Sequence, residues 1–118
     1  MDKNMKPLVK VEKSFPITIH MAGRYSTAEK ILKKYCDEVG YCVTLHTVQY
    51  IYKGGNEHGI RVGLINYPRF PADPATLTAK AIEIAELLRE GLKQESYSVE
   101  TPVETIWYSY RKGDATNV

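Results

Sequence analysis

The chain predicts an α+β domain of the ferredoxin-like type, βαββαβ, with a four-stranded antiparallel sheet, two helices on one face and a long hairpin between the second and third strands. Three observations carry this reading. Two segments have helical period, the remaining apolar runs alternate as strands do, and their order is strand, helix, strand, strand, helix, strand, the split βαβ pattern. The domain is expected over residues 15–111, with residues 1–14 as a flexible arm and 112–118 as a flexible tail.

Each element follows from its residues. FPITIHM, residues 15–21, puts Ile17, Ile19 and Met21 on one face and Thr18 and His20 on the other, as a half-buried strand does. RYSTAEKILKKYCDEVGY carries a capping box, Ser26 with Glu29, then Ala28, Ile31, Leu32, Tyr35, Cys36 and Val39 at helical spacing, with Gly40 as a stop. CVTLHTVQYIY and HGIRVGLINY are rich in β-branched and aromatic residues and flank a turn at Lys53-Gly54-Gly55-Asn56, so they form a hairpin. Asp73 as N-cap and Pro74 at the first helical position open a second helix. Its apolar stripe is Leu77, Ala81, Ile84, Ala85, Leu88 and Leu92, and Gly91 is expected to fray its last turn. SYSVETPVETIWYSY is a strand run that Pro102 confines to an edge or a bulge.

Right-handed crossovers then order the sheet four, one, three, two. Ile17, Ile19, Val43, Leu45, Ile60, Val62 and Leu64 should point at the helices. Thr18, His20, Thr44, His46, Arg61, Gly63, Ile65 and Tyr67 should point away, leaving an open face with two histidines and an arginine.

Composition narrows the function. A chain of 118 residues forms one core, and 16 basic against 14 acidic residues give no broad basic field, so nucleic-acid binding is not expected. No run approaches a bilayer-spanning length and no apolar segment follows the Met-Asp-Lys-Asn start, so neither a membrane span nor a signal peptide is expected, and the location is read as cytoplasmic. Cys36 and Cys42 are too few for a disulfide framework and lack Cys-x-x-Cys spacing; both are read as reduced, packed thiols. Two histidines without a third ligand specify no metal, and no cofactor is expected.

Three places suit a ligand. The open face is the first, with His20 near Arg61 and His46; a subunit, solvent or a ligand would each fit it. The second is the turn into the first helix, where Gly23, Arg24, Tyr25, Ser26 and Thr27 surround unpaired N–H groups able to hold an anion. The third is LINYPRFPADP, residues 64–74, whose prolines stiffen a loop carrying Asn66, Tyr67, Arg69 and Phe70. In the four-strand topology this loop meets Phe15, Tyr41 and WYSYR, so Trp107 and Arg111 join it. Arginine on an aromatic ring with its fork free suits a planar anion such as a nucleotide. The alternative is a shaped turn and an aromatic subunit contact. No nucleophile elbow or cysteine–histidine pair is present.

The phrases FPITIHMAGRYSTAEKI, EVGYCVT and RVGLINYPRFP resemble a family of small uncharacterised bacteriophage and prophage proteins, over most of residues 15–110. That resemblance implies an accessory or counter-defence protein and assigns no residue role. The element order and long hairpin also look like CutA, a trimeric ferredoxin-like protein. The resulting expectation is a homo-oligomer, trimeric or dimer-based, that sequesters a small anionic, nucleotide-like ligand without turnover. A protein-interaction module that assembles with itself or blocks a host protein is one alternative, and a small enzyme using His20 as a base is another.

Overall fold

The computed structural model describes residues 4–115. Its elements are β1 (Ile17–Ala22), α1 (Tyr25–Val39), β2 (Thr44–Tyr52), β3 (Gly55–Leu64), α2 (Pro74–Leu92), β4 (Ser96–Glu100), β5 (Thr105–Ser109) and the short α3 (Lys112–Ala115). They form an open antiparallel sheet of five strands in the order β2-β3-β1-β4-β5.

The first four strands take the expected order, and the fifth is a correction to the four-stranded ferredoxin-like count. SYSVETPVETIWYSY is not one edge strand. Pro102, with its φ preset for the second position of a β-turn, reverses the chain between Thr101 and Glu104. The Thr101 N–H donates to the Glu104 carbonyl at 2.8 Å, while the Thr101 hydroxyl oxygen accepts from the N–H groups of Val103 and Glu104 at 3.2 and 3.0 Å. β5 therefore runs back along β4. Residues 112–115, expected as the start of a loose tail, form α3, tied down by a bond from the Ser109 hydroxyl to Asp114. The remaining ends of the expected arm and tail, residues 1–3 and 116–118, lie outside the described residues.

Alternation decides which face is covered. Ile17, Ile19, Met21, Ile60, Val62, Leu64, Tyr97 and Val99 are buried against Ala28, Leu32 and Tyr35 of α1 and Leu77, Ala81, Ile84, Ala85 and Leu88 of α2. Val43 and Leu45, also expected inside, are only partly covered because β2 is the edge strand of the sheet. Tyr67, expected on the open face, instead lies beyond the end of β3 and packs on the core's margin.

The helix ends show what local sequence dictates. Asp73 caps α2 as expected, accepting from the Thr76 N–H at 2.7 Å, and Gly40 ends α1 in the left-handed region at φ 74°. The Ser26–Glu29 capping box does not form. Arg24 occupies the N-cap with no side-chain bond, because Gly23, at φ 136°, turns the chain tightly under Leu92 and starts the helix before Ser26. Gly91 does not fray the last turn of α2: a Cβ there would lie 2.3 Å from Ile31 Cδ1, so its bare backbone lets the two helices approach.

Carboxylates on α2 fasten it to its neighbours through phenols. Tyr35 donates to Glu83, and Tyr97 and Tyr110 both donate to Glu86. The Tyr35 hydrogen bond holds Glu83 below the usual carboxylate range. Burial opposes ionisation of Glu86, yet the two phenols and Arg89 outweigh it and its pKa is also lowered. Burial, reinforced by these carboxylates, pushes Tyr35 and Tyr97 upward. The signs give opposite edges. Depressed carboxylates contribute stability that is lost as pH falls below about 4.3, the unfolded value, and raised phenols contribute stability that is lost as pH climbs above about 10. Thermal unfolding against pH is expected to show a plateau between these limits, with Glu86→Gln flattening the acid limb.

Candidate functional site

The pairing register lines up one residue from each strand across the open face. His46 lies opposite Arg61, Arg61 opposite His20, His20 opposite Ser98, and Ser98 opposite Trp107. At about 4.8 Å per strand, the stretch from Arg61 to Trp107 covers roughly 14 Å.

At the centre, the His20 imidazole Nε2 meets Glu100 Oε1 at 2.9 Å, across the β1–β4 ladder and two residue pairs along it. The two side chains are 32% and 56% exposed, so the pair remains open to a ligand. Beside it, Ser14, Pro16, Thr18, Glu100, Thr101 and Pro102 line a cavity of about 400 Å³. Trp107 presents its indole at 52% exposure, and Arg61 is exposed. One face thus offers an anion at Glu100, cationic and imidazole groups at Arg61, His46 and His20, and a flat apolar platform at Trp107.

The backbone beneath is shaped for this face. On β2, Tyr50 lies across Gly59 and donates to the Ile60 carbonyl at 2.8 Å. A Cβ on Gly59 would sit 2.3 Å from the Tyr50 ring and 2.7 Å from the Met21 carbonyl oxygen. The ring can swing away, but the carbonyl belongs to the β1–β3 ladder. Gly59→Ala is expected to cost about 1–3 kcal/mol in urea unfolding, the range for overpacking.

His20, with Arg61 and His46 beside it, lies on this face as expected, and Trp107, expected near the proline loop, joins it instead. Gly23, Arg24 and Tyr25 line a separate cavity of about 400 Å³ with Thr47, His58 and Gly59, on the helix side at the start of α1. The Gly23 N–H is already used, donating to the His58 carbonyl at 3.1 Å. Ser26 is exposed and Thr27 half-buried, and neither lines that cavity.

The proline loop lies at the opposite end of the sheet. Asn66 works there as a strut, donating to the Lys13 carbonyl at 2.9 Å and accepting from the Ala72 N–H at 3.0 Å, which fastens the arm to the loop. Tyr67 and Phe70 cluster with Tyr41, with ring centroids 5.1–5.9 Å apart. Arg69 is exposed beside them. The expected stack of Arg69 or Arg111 on an aromatic ring is corrected: the stacked arginine is Arg89, 3.8 Å from the Tyr110 ring centroid. WYSYR does not reach the proline loop either, because the turn at Pro102 carries β5 back to the other end. There Arg111 pairs with Glu95 at 3.2 Å and Asp114 at 3.4 Å.

Glu100 is the residue that the sequence reading missed. The signal was present, since Ser96, Ser98 and Glu100 alternate with Tyr97 and Val99. Among the described residues there is no group of three or more His, Cys, Asp or Glu placed to hold a metal, and no helix is long and apolar enough to cross a membrane.

No protein-family model and no curated protein matches the chain. Two solved structures share its fold. A phage SAM lyase in the apo state aligns with TM-score 0.69 at 17% identity, covering 90% of this chain and 98% of the other. A phage SAM lyase in complex with S-methyl-5'-thioadenosine aligns with TM-score 0.59 at 17% identity, covering 89% and 95%. The expected likeness to CutA finds no support in these structures. The expectation of a non-enzyme that binds without turnover is overturned, because both neighbours with this fold are named as lyases, which are enzymes.

Proposed function

We propose that the chain is a phage-encoded enzyme that binds S-adenosylmethionine on the open sheet face and cleaves it, releasing methylthioadenosine. The observation that carries this reading is the likeness of nearly the whole chain to a SAM lyase structure holding S-methyl-5'-thioadenosine. The face supplies complementary chemistry. Trp107 offers a surface for the adenine ring, Glu100 attracts the cationic sulfonium and ammonium groups, and Arg61 with His46 attracts the carboxylate. His20 is the imidazole at the centre of the face that can accept a proton, and Glu100 fixes its ring.

Release of methylthioadenosine breaks the bond between the sulfonium sulfur and the γ-carbon of the amino-acid arm. A sulfonium is already a good leaving group, so no protein nucleophile is required. The sequence has neither a serine elbow nor a recognisable cysteine–histidine pair, which agrees with that demand. A protein that consumes S-adenosylmethionine removes a methyl donor from the infected cell, and the expected counter-defence role takes this form. The expected homo-oligomer belongs to the same reading: β2 and β5 are free sheet edges, and Ile51, Tyr52 and Trp107 are exposed on them.

Mass spectrometry of purified protein mixed with S-adenosylmethionine tests the reaction. Substrate loss with an equal yield of methylthioadenosine is the expected result, and intact substrate after long incubation at high protein concentration would refute it. The second product reports on His20. An unsaturated amino acid reports loss of a proton beside the breaking bond, the step in which His20 would act as base, whereas a lactone reports displacement by the substrate's own carboxylate, with His20 serving to hold Glu100.

A further inference from the structure

Both cysteines of the chain line one cavity. Cys36, on the last turns of α1, and Cys42, two residues before β2, share a space of about 350 Å³ with Tyr25, Leu32, Tyr41 and Leu45. The backbone brings them together. Gly40 reverses the chain, and the N–H groups of Gly40 and Tyr41 both donate to the Cys36 carbonyl, at 2.8 and 3.2 Å. The Cys36 thiol in turn lies against the Val43 backbone. Cys42 therefore sits in the chain between two residues that each touch Cys36.

Their surroundings differ, and the difference assigns an order. Cys42 is exposed, which corrects the expectation that both thiols are packed, whereas Cys36 is half-buried. Burial, with the neighbouring Cys42 second, pushes the Cys36 thiol up, so it reacts poorly by itself.

We propose that Cys36 and Cys42 form a reactive dithiol in which Cys42 takes up a low-molecular-weight disulfide and Cys36 then resolves it, joining the end of α1 to the start of β2. In the first step the Cys42 thiolate attacks one sulfur of the small disulfide, forming a mixed disulfide and expelling one small thiolate. In the second, the Cys36 thiol gives up its proton and attacks Cys42 Sγ, expelling the other. Two protein thiols lose two electrons, the small disulfide gains them, and the two protons leave on the two small thiols. The cavity is walled by α1, on the side of the sheet away from His20 and Glu100, so this chemistry is independent of the proposed cleavage reaction.

Oxidised glutathione is the probe, with intact mass spectrometry, thiol counting and non-reducing peptide mapping as readouts. Wild-type protein is expected to lose both thiols and two hydrogens, to carry no adduct, to stay a single covalent chain and to yield a peptide pair joined through Cys36 and Cys42. Cys36→Ser is expected to hold one glutathione on Cys42, and Cys42→Ser to remain unmodified. Wild-type protein that keeps its thiols, retains one or two adducts or becomes covalently linked between chains overturns the proposal, and the wild-type arm needs no variant to fold. An adduct on Cys42→Ser overturns the assigned order.

Discussion

Glu100→Gln is expected to cut the release of methylthioadenosine roughly 10²–10³-fold, the usual loss when one charged or polar group aimed at a reacting centre is removed. The substitution keeps size and one hydrogen-bonding oxygen for His20, so it isolates the charge. Glu100 is half-exposed at the end of β4 and contributes nothing to the core, so the unfolding midpoint should hardly move. Folded protein with lost turnover would then report electrostatics. Undiminished turnover by Glu100→Gln would mean that the reacting centre lies elsewhere, and the cavity at the start of α1 would become the first place to look.

The largest effect on stability is expected from Leu88→Ala. Leu88 is fully buried on α2, in the cluster that joins both helices to β1, β3 and β4. Removing its branched end deletes transfer free energy and leaves a cavity that close-packed neighbours only partly refill, at a cost of about 2–5 kcal/mol. A domain has about 5–15 kcal/mol in total, so Leu88→Ala is expected to lower the urea midpoint sharply and to approach unfolding at body temperature. A loss below about 1 kcal/mol would contradict the packing described for α2.

Strand order was legible because it rests on local signals: period-2 alternation in β1, β2 and β3, an Asp-Pro helix start at residues 73–74, and a chirality rule that leaves few topologies. The fifth strand was not, since a proline inside a strand run is compatible with an edge, a bulge or a turn. The choice rests on the Thr101–Glu104 hydrogen bonds, which form only when β5 has a strand to lie against. The same non-local dependence undid the capping box, where contact of Gly23 with Leu92 and His58 set the helix start two residues before Ser26 became its cap.

The site was half legible. Alternation placed His20, His46 and Arg61 on the open face, but it could not reveal that Glu100, 80 residues away, reaches His20. The loop was read for its composition. In the fold Tyr67 and Phe70 meet Tyr41 and Arg69 faces outward, while the arginine that stacks is Arg89, whose partner Tyr110 arrives because β5 turns back. Composition located charged and aromatic groups; long-range pairing decided which of them meet.

The proposed reaction requires the ligand to occupy the open face of the sheet. Amide chemical-shift mapping of the folded protein during titration with methylthioadenosine tests it most directly, with the indole N–H of Trp107 as an added probe. Saturable shifts are expected at His20, Arg61, Ser98, Glu100 and Trp107, with the α1 start and the proline loop unmoved. Shifts confined to Gly23, Arg24, Tyr25, Thr47 and His58, or to Asn66 through Phe70, would contradict it.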